Sequence, residues 1–159
     1  MLLAACSHAK QPVAVASVAP LSSYPPGIVP PADYAGALRA GIYPSDAPGQ
    51  CCFLAGRSLL VLDNPTGAQL AVFTFYVPSL RPLQQHPERV FVTFDGLHAG
   101  SAQLVPGLQN VTFTIPKPVR KTRHLVAGLT MSVHYVPKKI GLNPDTRDLS
   151  VVLTKVGYI

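Results

Sequence analysis

Arg89-Val90-Phe91-Val92-Thr93-Phe94, followed at once by Asp95-Gly96, alternates its side chains and then stops at a strong turn signal. A period of two places Val90, Val92 and Phe94 on one face and Arg89, Phe91 and Thr93 on the other, the pattern of a half-buried strand. The same grammar recurs downstream, where Val111, Phe113 and Ile115 oppose Thr112 and Thr114. Working outward, short apolar runs occupy residues 38–43, 51–54, 58–62, 69–77, 89–94, 99–104, 110–115, 129–135 and 149–156. Between them stand Pro44-Ser45-Asp46, Asp63-Asn64-Pro65-Thr66-Gly67, Pro106-Gly107 and Asn143-Pro144-Asp145, all rich in turn-forming residues. Short strands at regular spacing without βαβ alternation predict an all-β, antiparallel, jelly-roll-like β-sandwich of about eight to nine strands. A helical reading is confined to a turn or two at 33–39, and no internal repeat is evident.

Composition agrees with this class. The chain has 159 residues, 48% of them hydrophobic, which suits a single folded domain and is too apolar for a disordered chain. Seventeen prolines and no tryptophan argue against a helical bundle, because proline breaks helix interiors. No run of about 20 apolar residues is present to span a bilayer as a helix.

The sandwich is expected to fill 37–159. Residues 7–36 are rich in Ala, Val, Ser and Pro, including Tyr24-Pro25-Pro26-Gly27 and Val29-Pro30-Pro31-Ala32, and lack strand or helix periodicity. Such a segment is expected to act as a flexible, extended tether. Ahead of it, Leu3-Ala4-Ala5-Cys6 resembles the lipobox of bacterial lipoproteins, in which a signal peptidase cuts before a cysteine that then carries lipid. Residues 1–6 are thus read as residual signal and lipobox, with Cys6 the lipidated residue. A complete signal carries a basic n-region and a longer apolar h-region, so this reading expects the chain to begin inside a longer precursor. The alternative is an N-terminus with a stray thiol. Sorting rules of that family send a cysteine followed by Ser7 to the outer membrane, and two or more acyl chains anchor stably.

A second resemblance covers about 41–159. Gly41-Ile-Tyr-Pro-Ser-Asp46, Phe53-Leu-Ala-Gly-Arg-Ser58 and Asn64-Pro65 are followed by Val92-Thr-Phe-Asp-Gly96 and Val105-Pro-Gly107. The pattern closes with Tyr135-Val-Pro137 and Leu142-Asn-Pro-Asp-Thr-Arg-Asp-Leu149. Together they resemble the C-terminal β-sandwich module of bacterial glycosyltransferases and envelope-polysaccharide proteins, whose members usually carry a tryptophan where Phe53 stands. The resemblance implies a carbohydrate-binding-like fold without a catalytic role. It singles out Tyr43, Arg57, Asp145 and Arg147 as candidate ligand-binding residues.

Catalytic chemistry has little to work with. A glycosidase needs two carboxylates about 5–9.5 Å apart, and the seven acids all sit at turns or strand ends. Asp46, Asp63, Asp95 and Asp145 read as turn formers. Asp145 and Arg147 flank a tight loop; they form either a structural ion pair or a rim pair for a sugar hydroxyl, and both readings stay open. His8, His86, His98, His124 and His134 form no ligand set with cysteine or acid, so no metal and no cofactor is expected. His134 alternates with Val133 and Tyr135 in an expected strand, packed or solvated. No nucleophile elbow is present, and the chain is expected not to be an enzyme. Cys51 and Cys52 are expected to be buried or half-buried thiols, since consecutive Cα atoms stand about 3.8 Å apart, below the usual disulfide range. In an oxidising periplasm one of them is instead available to pair with another chain.

The net charge of +6 comes from 13 Lys and Arg against 7 Asp and Glu. It is unevenly placed: between Gly96 and Asn143 there is no acid, while Lys117, Arg120, Lys121, Arg123, Lys138 and Lys139 all fall there. The first four form a basic patch on an expected loop, the footprint of phosphate or carboxylate partners. Nucleic acid is not expected, for want of a recognition helix or an aromatic-rich basic sheet. The expected partners are a membrane through the lipid anchor, a glycan or anionic lipid such as the phosphates of lipid A, and an envelope protein. The first reading is a noncatalytic envelope lipoprotein that binds glycans or anionic envelope components. The second is an assembly subunit of an envelope complex.

Overall fold

A computed structural model describes residues 40–43, 52–64 and 67–159. The lipobox with Cys6, the tether, the turn at 33–39, Asp46 and Cys51 lie outside the described residues. Eight strands follow in chain order: β1 (Ala40–Tyr43), β2 (Phe53–Asp63), β3 (Leu70–Val77), β4 (Glu88–Phe94), β5 (Leu97–Leu104), β6 (Gly107–Thr114), β7 (His124–Met131) and β8 (Val152–Tyr158). One short helix, α1 (Arg81–Gln85), and 3-10 turns at Lys117–Val119 and Pro137–Ile140 complete the described elements. Every ladder is antiparallel, in the order β5-β4-β7-β2-β8-β3-β6, with β1 laid on β2. The chain is all-β, as its alternation predicts, and its strands make one nearly closed sheet.

β2 is the strand that bends this sheet into two layers. Its later residues pair with β7 from Arg57 to Asp63. Its beginning instead exchanges backbone bonds with the other layer: Cys52 N–H to the Leu153 carbonyl at 2.7 Å, Leu153 N–H to the Cys52 carbonyl at 2.9 Å and Leu54 N–H to the Val151 carbonyl at 2.9 Å. Phe53 and Leu54, from the run at 51–54, and the run at 58–62, expected as two strands, belong therefore to one strand of 11 residues. Val105 and Pro106 carry the chain from β5 at one end of the sheet order to β6 at the other.

The core lies between the layers. Val90, Val92 and Phe94 point inward from β4 and are fully buried, as their alternation requires. Phe73 on β3 is the central ring, 5.9 Å from Phe75, 6.3 Å from Phe94 across the layers and 5.9 Å edge-on from Phe113. Asp95 and Gly96 both have positive φ (48° and 80°), which makes the two-residue hairpin turn between β4 and β5. The Asp95 carboxylate also accepts from Val126 N–H at 2.8 Å and ties that hairpin to β7.

Two expectations about elements are corrected. The run at 129–135 starts earlier, at His124, because Leu125, Ala127, Leu129 and Met131 keep a period of two straight through Gly128. It ends at Met131, so His134 is not in a strand, and Tyr135 holds only an isolated bridge to Leu149. Helix α1, opened by Pro82 in its first turn, was not expected.

Candidate binding end

β7 and β8 are joined by residues 132–151, a long connection at one end of the sandwich. Most of its length is irregular, and long ordered loops of that kind commonly carry function. Its frame is made of backbone bonds. Tyr135 and Leu149 exchange N–H and carbonyl groups at 2.7 and 2.8 Å, and Lys138 N–H donates to the Asp145 carbonyl at 2.8 Å. Within it, Asn143-Pro144-Asp145 turns as its sequence predicts, the Asn143 side chain accepting from Asp145 N–H at 2.9 Å.

Beneath the connection sits a carboxylate that no turn explains. Glu88 is buried, and its Oε1 accepts from the backbone N–H groups of Arg89, Ser132 and Val133 at 3.0, 2.9 and 3.1 Å. The Ser132 hydroxyl lies 3.1 Å from Oε1, and the Ser150 hydroxyl 3.0 Å from Oε2. One side chain at the start of β4 thus fixes both ends of the connection. The clue lay in phase: Glu88 is in step with Val90, Val92 and Phe94, so an alternating strand sends it inward.

Three of the four candidate ligand-binding residues meet here. Arg147 grips Asp145 through Nε, at 3.0 and 2.9 Å from the two carboxylate oxygens, and through Nη2 at 2.7 Å. Its guanidinium carbon lies 5.5 Å from the centre of the Tyr43 ring, a cation–π stack. The hydrogen bonds from Arg147 hold the Asp145 carboxyl below its ordinary range. Beside this rim opens an apolar groove of about 590 Å3, lined by Phe53, Tyr76 and Tyr135 together with Pro78, Leu80, Leu108, Leu142, Val152 and Thr154. Tyr76, Leu108 and Leu142 stand out as exposed. Burial, with Asp145 nearby, pushes the Tyr135 phenol up to about 12.

Arg57 is placed elsewhere. It is exposed on the outer face of β2 and lines a smaller cleft of about 480 Å3 with Gly56, Thr130, Ser132, His134 and Asp148. There His134 Nδ1 and Asp148 Oδ1 are 2.6 Å apart, while Asp148 Oδ2 accepts from Gly56 N–H at 3.3 Å. Gly56 leaves room for the ring, since a Cβ on it would stand 3.1 Å from the His134 imidazole. His134 and Asp148 are 14 residues apart in an irregular segment, so no local spacing signals their pairing.

The charged stretch divides. Lys117, Arg120, Lys121 and Arg123 lie before β7, whereas Lys138 and Lys139 follow it. Between the two groups in the chain lies an eight-residue strand, roughly 25 Å long. Within the first group the cations are unequal. Arg120 donates its Nε to the Ile115 carbonyl at 2.8 Å, and Arg123 stands 3.6 Å from Asp63. Lys117 and Lys121 are exposed.

Cys52 is fully buried but disulfide-bonded, which corrects the expectation of a thiol there. Among the described residues no group of three or more His, Cys, Asp or Glu is close enough to hold a metal ion, and no helix is long and apolar enough to cross a membrane. No protein-family model and no curated protein matches the chain.

Proposed function

We propose that this chain is a noncatalytic cell-envelope lipoprotein, anchored through Cys6, whose β-domain binds glycans or anionic envelope components at the end formed by 132–151. The observation that carries the proposal is the juxtaposition of an aromatic-lined groove with a charged rim: Phe53, Tyr76 and Tyr135 beside Asp145 and Arg147. Aromatic faces take the apolar face of a sugar ring, and a carboxylate–guanidinium pair takes its hydroxyls, one group accepting and the other donating. A noncatalytic role accords with how the described acids are used. Asp145 binds Arg147, Asp148 binds His134, Glu88 is consumed by backbone amides, Asp95 caps a hairpin and Asp63 faces Arg123. The Cys52 disulfide suits an oxidising compartment outside the cytoplasm.

A glycan array probed with the full chain and with Tyr76→Ala tests the groove. Binding by the parent that the variant loses supports the proposal; absence of binding to any glycan refutes it. Membrane fractionation of the precursor with Cys6→Ser tests the anchor, and an unchanged distribution refutes lipidation. A second reading, an assembly subunit of an envelope complex, is favoured by the exposed Tyr76, Leu108 and Leu142 around the same groove. It predicts that cross-linking at the groove captures a protein partner rather than a sugar.

A further inference from the structure

The outer face of the layer β5-β4-β7-β2 carries a line of exposed side chains that the groove does not use. Strand register places Arg57 of β2 opposite Thr130 of β7, Thr130 opposite Phe91 of β4, and Phe91 opposite Ser101 of β5. At about 4.8 Å between strands, the row spans about 14 Å. Phe91 is 42% exposed at its centre, large for an aromatic ring on a sheet face flanked by hydroxyls. Arg89, two residues along the same face of β4, donates through Nη1 to the Ser101 hydroxyl at 3.2 Å and so lies across the row. At the Arg57 end the row runs into the cleft of His134, whose ring is fixed by Asp148 on one nitrogen and by Gly56 beneath it.

Near this row the charge is one-sided; Asp63, on the same face six residues along β2, faces Arg123. Arg57 and Arg89 are exposed, while the sole carboxylate in the adjoining cleft, Asp148, is already bound by His134 and the Gly56 amide. Glu88, the nearest acid in sequence to Arg89, is buried on the opposite side of β4.

We propose that this face is a binding site for an acidic polysaccharide, separate from the groove: Phe91 underlies a sugar ring, Arg57 and Arg89 pair with its carboxylate or sulfate groups, and Thr130 and Ser101 take hydroxyls. Arginine recognises carboxylate and sulfate through paired donors, and an aromatic ring beside it supplies the face that a sugar stacks on. Single-stranded nucleic acid would need successive aromatic platforms for successive bases, and this row has one. The site stands whether or not the groove binds a neutral sugar.

The test uses the full chain with polygalacturonate, neutral dextran, single-stranded oligothymidylate and vesicles containing anionic lipid, by calorimetry at two salt concentrations. Polygalacturonate is expected to bind and dextran not to bind at this face. Phe91→Ala is expected to weaken polygalacturonate about tenfold without changing the salt dependence. Arg57→Gln with Arg89→Gln is expected to weaken it at least as much and to flatten the salt dependence. Tyr76→Ala, in the groove, is expected to leave polygalacturonate binding unchanged, which separates this site from the proposed groove function. No binding of polygalacturonate overturns the proposal. So does tighter binding of oligothymidylate or of vesicles, or polygalacturonate binding that Phe91→Ala leaves untouched while the variant keeps its parent melting temperature.

Discussion

The side-chain amide of Asn64 donates to the carbonyl of Arg120 at 2.9 Å, and again to that of Thr122 at 3.0 Å. Asn64 N–H also donates to the Arg123 carbonyl at 2.7 Å, so one buried residue clamps the whole basic loop. Arg120 in turn donates its Nε–H to the Ile115 carbonyl, which ties its side chain to the loop's own backbone. Asn64→Leu removes both side-chain donors and is expected to cost about 2 kcal/mol in chemical denaturation. Hydrogen exchange across the Arg120–Arg123 segment should rise in the same variant by more than it does at the β4 amides, which follow only the global loss.

Glu88 invites a graded pair of substitutions. Glu88→Ala strands the N–H groups of Ser132 and Val133 in a dry setting and is expected to destabilise the domain by about 3 kcal/mol. Glu88→Gln keeps one oxygen for those amides and is expected to cost clearly less. Equal losses in the two variants, read by urea denaturation, would contradict the assigned bonding.

The Asp145 carboxyl is held below its ordinary value of 3.8 by hydrogen bonds from Arg147. A carboxyl depressed in the folded state contributes stability at pH values above its unfolded value, and that contribution fades as pH falls through the lower folded value. In a carbon-detected NMR titration, Asp145 is expected to titrate below 3.8 in the parent and to move up toward it in Arg147→Leu.

Tyr135 titrates in the other direction. Its phenol is pushed up to about 12 first by burial and then by Asp145. A phenol raised in the folded state stays protonated where the unfolded chain has already lost its proton. Its contribution is therefore whole below about 10 and declines as pH rises toward 12. Ultraviolet difference spectra of the parent against Tyr135→Phe should isolate a late step near 12, and Asp145→Asn should bring that step down slightly.

What could be read from the chain alone was local. Val90, Val92 and Phe94 announced their own burial, Asp95-Gly96 announced a hairpin, and Asn143-Pro144-Asp145 announced the turn that aims Asp145 at Arg147. Phe91 was legible as outward-facing. Its neighbours Thr130 and Ser101 were not, because register between strands is set by three-dimensional packing rather than by spacing in sequence. The same reason hid the stack of Arg147 on Tyr43, more than a hundred residues upstream, and the pairing of His134 with Asp148. Glu88 lay between these cases. Its phase was visible, but its partners Ser132 and Ser150 became visible only once β7 and β8 were in place.

β8 has a kinetic meaning as well as a geometric one. It pairs with β3 across its length and touches β2 at its start, yet it follows every other strand in the chain. Until Val152–Tyr158 is available, the layer of β2, β4, β5 and β7 has no bonded route to the layer of β3 and β6 at this corner. The ring of Phe73 then lacks the strand partner that seats β3 against Phe94. Loop-closure entropy must be met before such distant pairings return any free energy, so this fold belongs among the slow folders. A chain caught partway would show two half-sheets with bare edges, a form vulnerable to association until its final strand docks.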